Sequence, residues 1–246
     1  MNNIRYVVLS RVNDVERRIK FSEQTKKINI NYSFFNAYTP QDLPKELNLL
    51  LDISLTPGER ACAYSHIKIL EQLLESEDKS IIVLEDDALL NANLLLLQSE
   101  LHRIHNDFDV VILGYSKVEE KLKSAIQFFR PLIKEKEYGK FFVGTPYHQW
   151  KCGTVCYSTS RKGAEKLIEI NKKAQFTADD WNTFELNGIK IGHLMPILVI
   201  EDIESCPSTL EKDRNSLIKR NVLLRYFAGA IRHLFLVGPL LKRIFR

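Results

Sequence analysis

Ile81-Ile82-Val83-Leu84-Glu85-Asp86-Asp87 is the stretch of the sequence that decides the fold. Its four apolar residues form a run too short for a helix, which predicts a buried strand of an α/β sheet. Three carboxylates follow at the carboxyl end of this strand, where open α/β sheets bind their ligands. Adjacent acids repel one another unless a cation lies among them, and Mn²⁺ or Mg²⁺ accepts both carboxylate and phosphate oxygens. The stretch therefore predicts a metal site that binds a diphosphate, with Glu85, Asp86 and Asp87 as candidate ligands.

The same acids have a second interpretation. Acidic side chains are favourable at helix N-termini, so the three residues could cap a helix predicted over residues 88–100. This stretch alone leaves both interpretations open.

The bulk composition predicts one large globular domain over residues 1–220. The chain has 246 residues, 45% hydrophobic and 27% charged, which is ordinary for a globular protein and enough to bury a sizeable core. A net charge of +4, concentrated near the C-terminus, does not indicate a nucleic-acid partner. The N-terminus lacks the apolar core of a signal peptide, so we expect a cytoplasmic protein. Reduced interior thiols are then expected at all four cysteines: Cys62, Cys152, Cys156 and Cys206.

The first forty residues predict a strand over residues 5–10, a charge-rich helix over 13–27 and a strand over 30–37. This order indicates a parallel pair joined by a right-handed crossover. Ser10-Arg11 and then Arg17-Arg18 follow the first strand and could place guanidinium groups near a nucleotide, although a single arginine there is more often a solvated helix charge.

A second helix start is marked by Thr56, Pro57 and Glu59, which have the spacing of a capping box with proline at the first helical position. The helix that follows contains Ser65 and His66. For His66, a hydrogen-bonded core position and a contact to substrate are both open.

Two later segments combine aromatic and polar residues. The loop over residues 144–150 contains Tyr147, His148 and Trp150, a combination that suits stacking against a sugar. Asp179-Asp180-Trp181 suits a carboxylate base beside an apolar sugar face. The alternative for this second segment is a helix cap followed by a core tryptophan.

The C-terminal segment, residues 221–246, is apolar and basic without a single acid. Its uncharged run over residues 233–241 is far shorter than the roughly 20 residues that cross a membrane. We expect a basic amphipathic tail that lies on an anionic membrane surface, with docking on the core as the alternative.

Several segments, in order across about the first 210 residues, resemble the family 25 glycosyltransferases, the bacterial lipooligosaccharide galactosyl- and glucosyltransferases. They are Val7-Val8-Leu9-Ser10 with Arg17-Arg18, Phe35-Asn36-Ala37, Leu55 to His66, Ile82 to Asp87, Gly153 to Tyr157 with Ser160 to Ala164, and Asp179-Asp180-Trp181. Glu85-Asp86-Asp87 looks like the family's variant of the metal-binding Asp-x-Asp motif, with glutamate in the first position.

The resemblance implies an α/β fold with a GT-A-like, Rossmann-type mixed sheet flanked by helices. It also implies an inverting transfer of galactose or glucose from a UDP-sugar, with Mn²⁺ or Mg²⁺, to a terminal sugar of lipooligosaccharide at the inner face of the bacterial inner membrane. Asp180 or Asp179 is then the expected base. The remaining expected contacts are nucleotide-sugar binding by Ser10, Arg11, Arg18, Ser65, His66, Glu85 and Asp86, and acceptor binding by Tyr147, His148, Trp150 and Trp181.

Two other functions use the same residues. One is a metal-dependent nucleotidyltransferase or phosphotransferase built on the acids. The other is a non-catalytic, membrane-associated sugar-binding module with a degenerate site.

Overall fold

The computed structural model describes residues 4–48, 55–146 and 148–203, together with Phe227, Ala230 and Ile231. The strands are β1 (Ile4–Ser10), β2 (Ser33–Asn36), β3 (Ser80–Glu85), β4 (Ala88–Leu90), β5 (Val110–Ile112), β6 (Gly114–Tyr115), β7 (Ile133–Tyr138), β8 (Phe141–Thr145), β9 (Cys156–Ser160), β10 (Ile191–Met195) and β11 (Val199–Glu201). The α-helices are α1 (Val15–Ile28), α2 (Lys45–Asn48), α3 (Pro57–Glu75), α4 (Leu94–Asp107), α5 (Ile126–Phe129), α6 (Arg161–Asn171) and α7 (Trp181–Leu186), with 3₁₀ turns at Pro40–Asp42 and Glu120–Ala125.

The central sheet has eight strands in the order β2-β1-β3-β9-β5-β10-β8-β7. β2, β1 and β3 are parallel, whereas β9 runs antiparallel to both of its neighbours, β3 and β5. The predicted α/β class, a mixed sheet flanked by helices, is therefore confirmed, and its parallel first half places the ends of β1 and β3 side by side.

Side chains alternate between two cores, one on each face of the sheet. On β3, Ile81 and Val83 pack with the face that carries α3, α6 and α7, while Ile82 and Leu84 pack with the face that carries α1 and α4. All four residues are fully buried. A strand buried on both faces explains the uninterrupted apolar run.

A second, three-stranded sheet in the order β4-β11-β6 continues beyond the carboxyl edge of the central sheet. The helix predicted over residues 88–100 is therefore wrong at its start, because Ala88, Leu89 and Leu90 pair with β11 as a strand. The apolar run over residues 197–200 predicts a strand that completes the central sheet, but β11 pairs with β4 and β6 in this second sheet instead. Since β4 separates Asp87 from α4, the acids do not cap that helix.

The predicted start of α3 is confirmed. The Thr56 hydroxyl accepts a hydrogen bond from the Glu59 backbone N–H at 3.2 Å, and the Glu59 carboxylate accepts one from the Thr56 N–H at 2.9 Å. Pro57 occupies the first turn, where its missing N–H costs nothing.

The charged sequence of residues 117–138 predicts an irregular surface loop plus a hairpin. The hairpin is present, as β7 pairs with β8. However, Val118, Leu122 and Ile126 are buried, so much of this segment belongs to the core.

Of the cysteines that the structure describes, Cys152 and Cys156 are buried free thiols, as expected, whereas Cys62 is half-buried. Cys206 and Tyr147 lie outside the described residues, as does almost all of the predicted tail. In the described part of the chain, no helix has the length and apolarity that a bilayer crossing requires.

Candidate active site

The three acids lie at the carboxyl edge of the central sheet, beside the end of β1. Glu85 pairs in register with Leu9, which places Ser10 next to Asp86. Asp86 and Asp87 are 7% and 6% exposed. The backbone N–H of Asp202 donates to the carbonyl oxygen of Asp87 at 2.8 Å, so the end of β11 also meets this edge.

Arg17, in the first turns of α1, binds two of the acids. Its Nη2 lies 2.8 Å from Asp86 Oδ1 and also contacts Asp87 Oδ2. From the sequence, Arg17 was one of the arginines that could lie near a nucleotide, but the expected binding residues were Arg11 and Arg18. The available signal was its place at the start of the helix after β1, because such helices begin near the carboxyl edge of a sheet.

Arg18 connects the ends of β1 and β2. Its guanidinium donates to Ser10 Oγ at 3.0 Å and to Asn36 Oδ1 at 2.8 Å, and it lies 4.8 Å from the centre of the Phe34 ring. Arg11 pairs with Asp14 at 2.8 Å. Of the three arginines that follow β1, Arg17 is thus the one in contact with the acids.

Burial and mutual repulsion raise the pKa values of the acids. Burial raises the pKa of Glu85 to about 8, and the negative charges of Asp87, Glu201 and Asp179 add to the shift. Burial likewise raises the pKa of Asp87 to about 7, against the attraction of Arg17. The pKa of Asp86 is also raised, chiefly by burial. With all three carboxyls ionised, this edge would carry more negative charge than the Arg17 guanidinium neutralises.

This chemistry fits a divalent cation held by few protein ligands. Asp87 Oδ1 is buried and has no hydrogen-bond partner among the described residues. Glu85 accepts a hydrogen bond from Thr154 Oγ1. Across the residues that the structure describes, no three His, Cys, Asp or Glu side chains converge as a metal cage. Mg²⁺ at phosphate sites is bound through one or two carboxylates plus the phosphates, so Asp87 with Asp86 is the fitting pair.

Asp179-Asp180 forms a second acidic group near the three acids of the β3 edge. The charge of Asp179 raises the pKa of Glu85. The two aspartates differ in their contacts. Asp180 caps α7, where its Oδ1 accepts a hydrogen bond from the Thr183 N–H at 3.2 Å. Asp179 is half-buried and does not cap the helix.

Trp181 is a correction to the expected acceptor contacts. It is 1% exposed, it donates from Nε1 to the carbonyl oxygen of Gly153 at 3.1 Å, and its ring packs against Tyr157 and Phe184. No ring face is available to a sugar, so the alternative of a core tryptophan holds.

Ser65 and His66 are likewise interior residues rather than nucleotide contacts. Ser65 accepts a hydrogen bond from the Tyr38 N–H at 2.9 Å and donates to the Ala61 carbonyl at 2.8 Å. His66 Nδ1 lies 3.0 Å from the Tyr157 hydroxyl, and burial lowers the pKa of His66 to about 4. His66 is therefore a neutral residue on the buried face of α3.

The residues of the predicted acceptor loop, 144–150, differ in their exposure and contacts. His148 is exposed, and Trp150 is half-buried. Trp150 packs edge-on to Tyr115 with ring centroids 6.2 Å apart, and the guanidinium of Arg130 lies 5.6 Å from its ring centre. Sequence reasoning missed Tyr115 and Arg130, because Arg130 falls in the segment interpreted as a surface loop.

Comparison with known proteins gives a family match. Residues 4–182 match the family described as glycosyltransferase family 25 (LPS biosynthesis protein). A provisionally named glycosyltransferase of Haemophilus influenzae is 30% identical over 85% of this chain and 76% of its own length. The lipooligosaccharide biosynthesis protein lex-1 of the same species is 25% identical over 89% of this chain and 85% of its own length. Among solved structures, a glycosyltransferase involved in glycosylation of the major capsid of PBCV-1 aligns with a TM-score of 0.43 and 10% identity, over 94% of this chain and 99% of its own.

Proposed function

The chain belongs to glycosyltransferase family 25, and on that basis we propose that it transfers galactose or glucose from a UDP-sugar to a terminal sugar of lipooligosaccharide, with inversion at the anomeric carbon. The observation that carries the proposal is the buried acidic edge at the end of β3. Its carboxylates have raised pKa values, and one oxygen of Asp87 has no partner among the described residues. Such an edge suits a diphosphate that arrives with its own divalent cation.

Arg17 has the first role in this proposal. In the absence of ligand its guanidinium offsets the charge of Asp86 and Asp87. When a nucleotide sugar binds at this edge, the same guanidinium would pair with the diphosphate oxygens. A planar guanidinium suits this role because it pairs with carboxylates and phosphates alike.

Asp87, with Asp86, would hold Mn²⁺ or Mg²⁺. When bound there, the ion supplies Lewis-acid stabilisation of the negative charge that develops on the departing UDP. Glu85 stays with its Thr154 hydrogen bond and orients the loop that leads into β9.

Inversion requires a single displacement, so one base takes the proton of the attacking hydroxyl. Asp179 is the better-supported base of the two aspartates, because its charge reaches Glu85 while Asp180 is engaged as the cap of α7. We therefore propose that Asp179 accepts the acceptor proton and that Asp180 fixes the start of the helix.

The proposed acceptor class follows from the relatives, one of which is named for lipooligosaccharide biosynthesis. With a lipid-linked acceptor, the enzyme would act at the inner face of the inner membrane. The apolar, basic residues 221–246 are the proposed contact with an anionic surface. Deleting residues 221–246 should release the protein from anionic vesicles while UDP binding stays unchanged, and undiminished vesicle binding would remove the tail from the proposal.

A screen of UDP-sugars with Mn²⁺ tests the reaction. We expect metal-dependent release of UDP that increases when a galactose- or glucose-terminated acceptor is added, and that EDTA abolishes. Release of pyrophosphate would indicate nucleotidyl transfer instead. Binding of UDP-sugars without any turnover would indicate a non-catalytic module.

A further inference from the structure

Arg130 is a positive charge in an aromatic setting, and none of the described residues is an anionic partner for it. Its guanidinium lies 4.8 Å from the centre of the Tyr115 ring and 5.6 Å from that of Trp150. In the part of the chain that the structure describes, its side chain makes no ion pair, and Nη1 is buried without a hydrogen-bond partner. A buried cationic donor left unpaired is costly, which makes this position unusual for a purely structural arginine.

A second unsatisfied donor lies next to it. The indole Nε1 of Trp150 is also buried without a hydrogen-bond partner among the described residues. Each of the two residues is partly exposed as a whole. Two neighbouring N–H donors, one of them charged, present the hydrogen-bonding pattern that an oxyanion accepts.

The aromatic platform beneath these donors is held in place by a chain of buried hydrogen bonds. The Tyr115 hydroxyl and His193 Nδ1 are 2.8 Å apart, His193 Nε2 and Gln149 Oε1 are 2.9 Å apart, and Gln149 donates to Glu185 at 2.8 Å. Burial lowers the pKa of His193 to about 3, so the imidazole is neutral and carries one N–H. Each of these four side chains has a hydrogen-bond partner within the network. The two donors without a partner among the described residues are therefore not a sign that this region is poorly packed in general.

This platform adjoins the acidic edge. The segment from Trp150 leads within four residues to Thr154, which donates to Glu85. Trp181, two residues after Asp179, donates from Nε1 to the carbonyl oxygen of Gly153 at 3.1 Å, so the segment that carries the proposed base packs against residues 150–154. A group bound at Arg130 would therefore lie beside the proposed base rather than on a separate face.

We propose that Arg130 and Trp150 form an oxyanion subsite of the acceptor site, which binds a carboxylate or phosphate carried by the acceptor saccharide. The inference rests on the proposed glycosyl transfer, and it adds that the acceptor is an anionic saccharide rather than a neutral one. The guanidinium supplies the charge, the indole N–H fixes one oxygen, and the Tyr115 ring supports the guanidinium from its face.

Binding of small saccharides to the full chain, measured by isothermal titration calorimetry, tests the subsite without relying on turnover. The probes are glucuronic acid, which carries a carboxylate, glucose 6-phosphate, and the neutral methyl glucoside. Arg130→Gln removes the charge, and Trp150→Phe removes the indole N–H. Arg103→Gln is the matched control, since Arg103 also faces an aromatic ring, that of Tyr138, but has an ion-pair partner in Glu100.

We expect wild type to bind at least one acidic probe at least tenfold more tightly than methyl glucoside. Tighter binding of glucuronic acid would indicate a carboxylate on the acceptor, and tighter binding of glucose 6-phosphate would indicate a phosphate. Arg130→Gln should lose that tenfold preference, Trp150→Phe should weaken it severalfold, and Arg103→Gln should keep it. Equal affinity of wild type for acidic and neutral probes would overturn the proposal. So would loss of UDP affinity in Arg130→Gln, because the arginine would then serve the donor. Retained acidic-probe binding in a chain that shows no UDP release would leave the subsite standing and contradict only the glycosyl transfer.

Discussion

Asp87→Asn should make the protein more stable and inactive at the same time. The carboxyl of Asp87 is 6% exposed, and its pKa is raised from 3.8 to about 7. A group with a raised folded-state pKa favours folding at low pH, and that contribution is lost as the pH rises from about 4 to about 7. A shift of roughly three pKa units corresponds to about 4 kcal/mol, which the ionised carboxylate costs the folded state at pH 8. Asparagine has nearly the same shape and cannot ionise, so the variant avoids this cost.

Urea unfolding at pH 8 and pH 4, in EDTA, measures the difference. The variant should exceed wild type by up to about 4 kcal/mol at pH 8 and match it at pH 4. Adding Mg²⁺ at a hundred times its Kd should stabilise wild type by about 2.7 kcal/mol and leave the variant unchanged.

Asp109→Asn is the matched control, because Asp109 is a buried carboxylate that already has partners. It pairs with Lys166 at 2.6 Å and accepts a hydrogen bond from the Lys190 N–H at 2.9 Å. This variant should lose about 1–3 kcal/mol at pH 8. If Asp87→Asn also lost stability at pH 8, the acidic edge would not be a region of uncompensated charge, and the reasoning would be refuted.

Three further predictions concern other residues. Arg17→Gln should bind Mn²⁺ severalfold more tightly in calorimetry without nucleotide, because the competing guanidinium is gone. The variant should also transfer sugar roughly 10²-fold more slowly. Unchanged affinity for Mn²⁺ would show that Arg17 does not compete with the metal for Asp86 and Asp87. Trp181→Ala should lose about 3–5 kcal/mol in urea unfolding because the indole is core, and a loss below 1 kcal/mol would contradict this. Burial lowers the pKa of His66 from 6.5 to about 4, so the unfolded chain takes up the proton first and stability falls as the pH drops below 6.5. Between pH 7 and 5, wild type should therefore lose about 2 kcal/mol more than His66→Gln, and parallel pH profiles would refute the assignment.

Local signals in the sequence were sufficient for the elements that frame the site. The run Ile81 to Leu84 followed by acids, and the spacing of Thr56 and Glu59, depend on neighbouring residues alone, so strand β3 and the start of α3 were predictable. Residues 88–90 were not, because alanine and leucine favour a helix locally. Their pairing with β11 lies more than a hundred residues away in the chain and overrides that preference.

The parts of the site that were missed also depend on distant contacts. Arg17 meets Asp87 across 70 residues of sequence, and no pattern near either residue indicates that pair. Arg130 meets Tyr115 and Trp150 through the folding of a segment whose charge suggested a surface. Asp179-Asp180-Trp181 had two interpretations because a helix cap and a catalytic acid use the same residue types, and only tertiary packing separates the roles.

The most direct test of the central claim is the position of Mn²⁺, located by its anomalous scattering in crystals grown with UDP. The account predicts one peak within coordination distance of Asp87, with or without Asp86, and with the diphosphate on its far side. A peak elsewhere on the molecule, with UDP bound away from the end of β3, would contradict it.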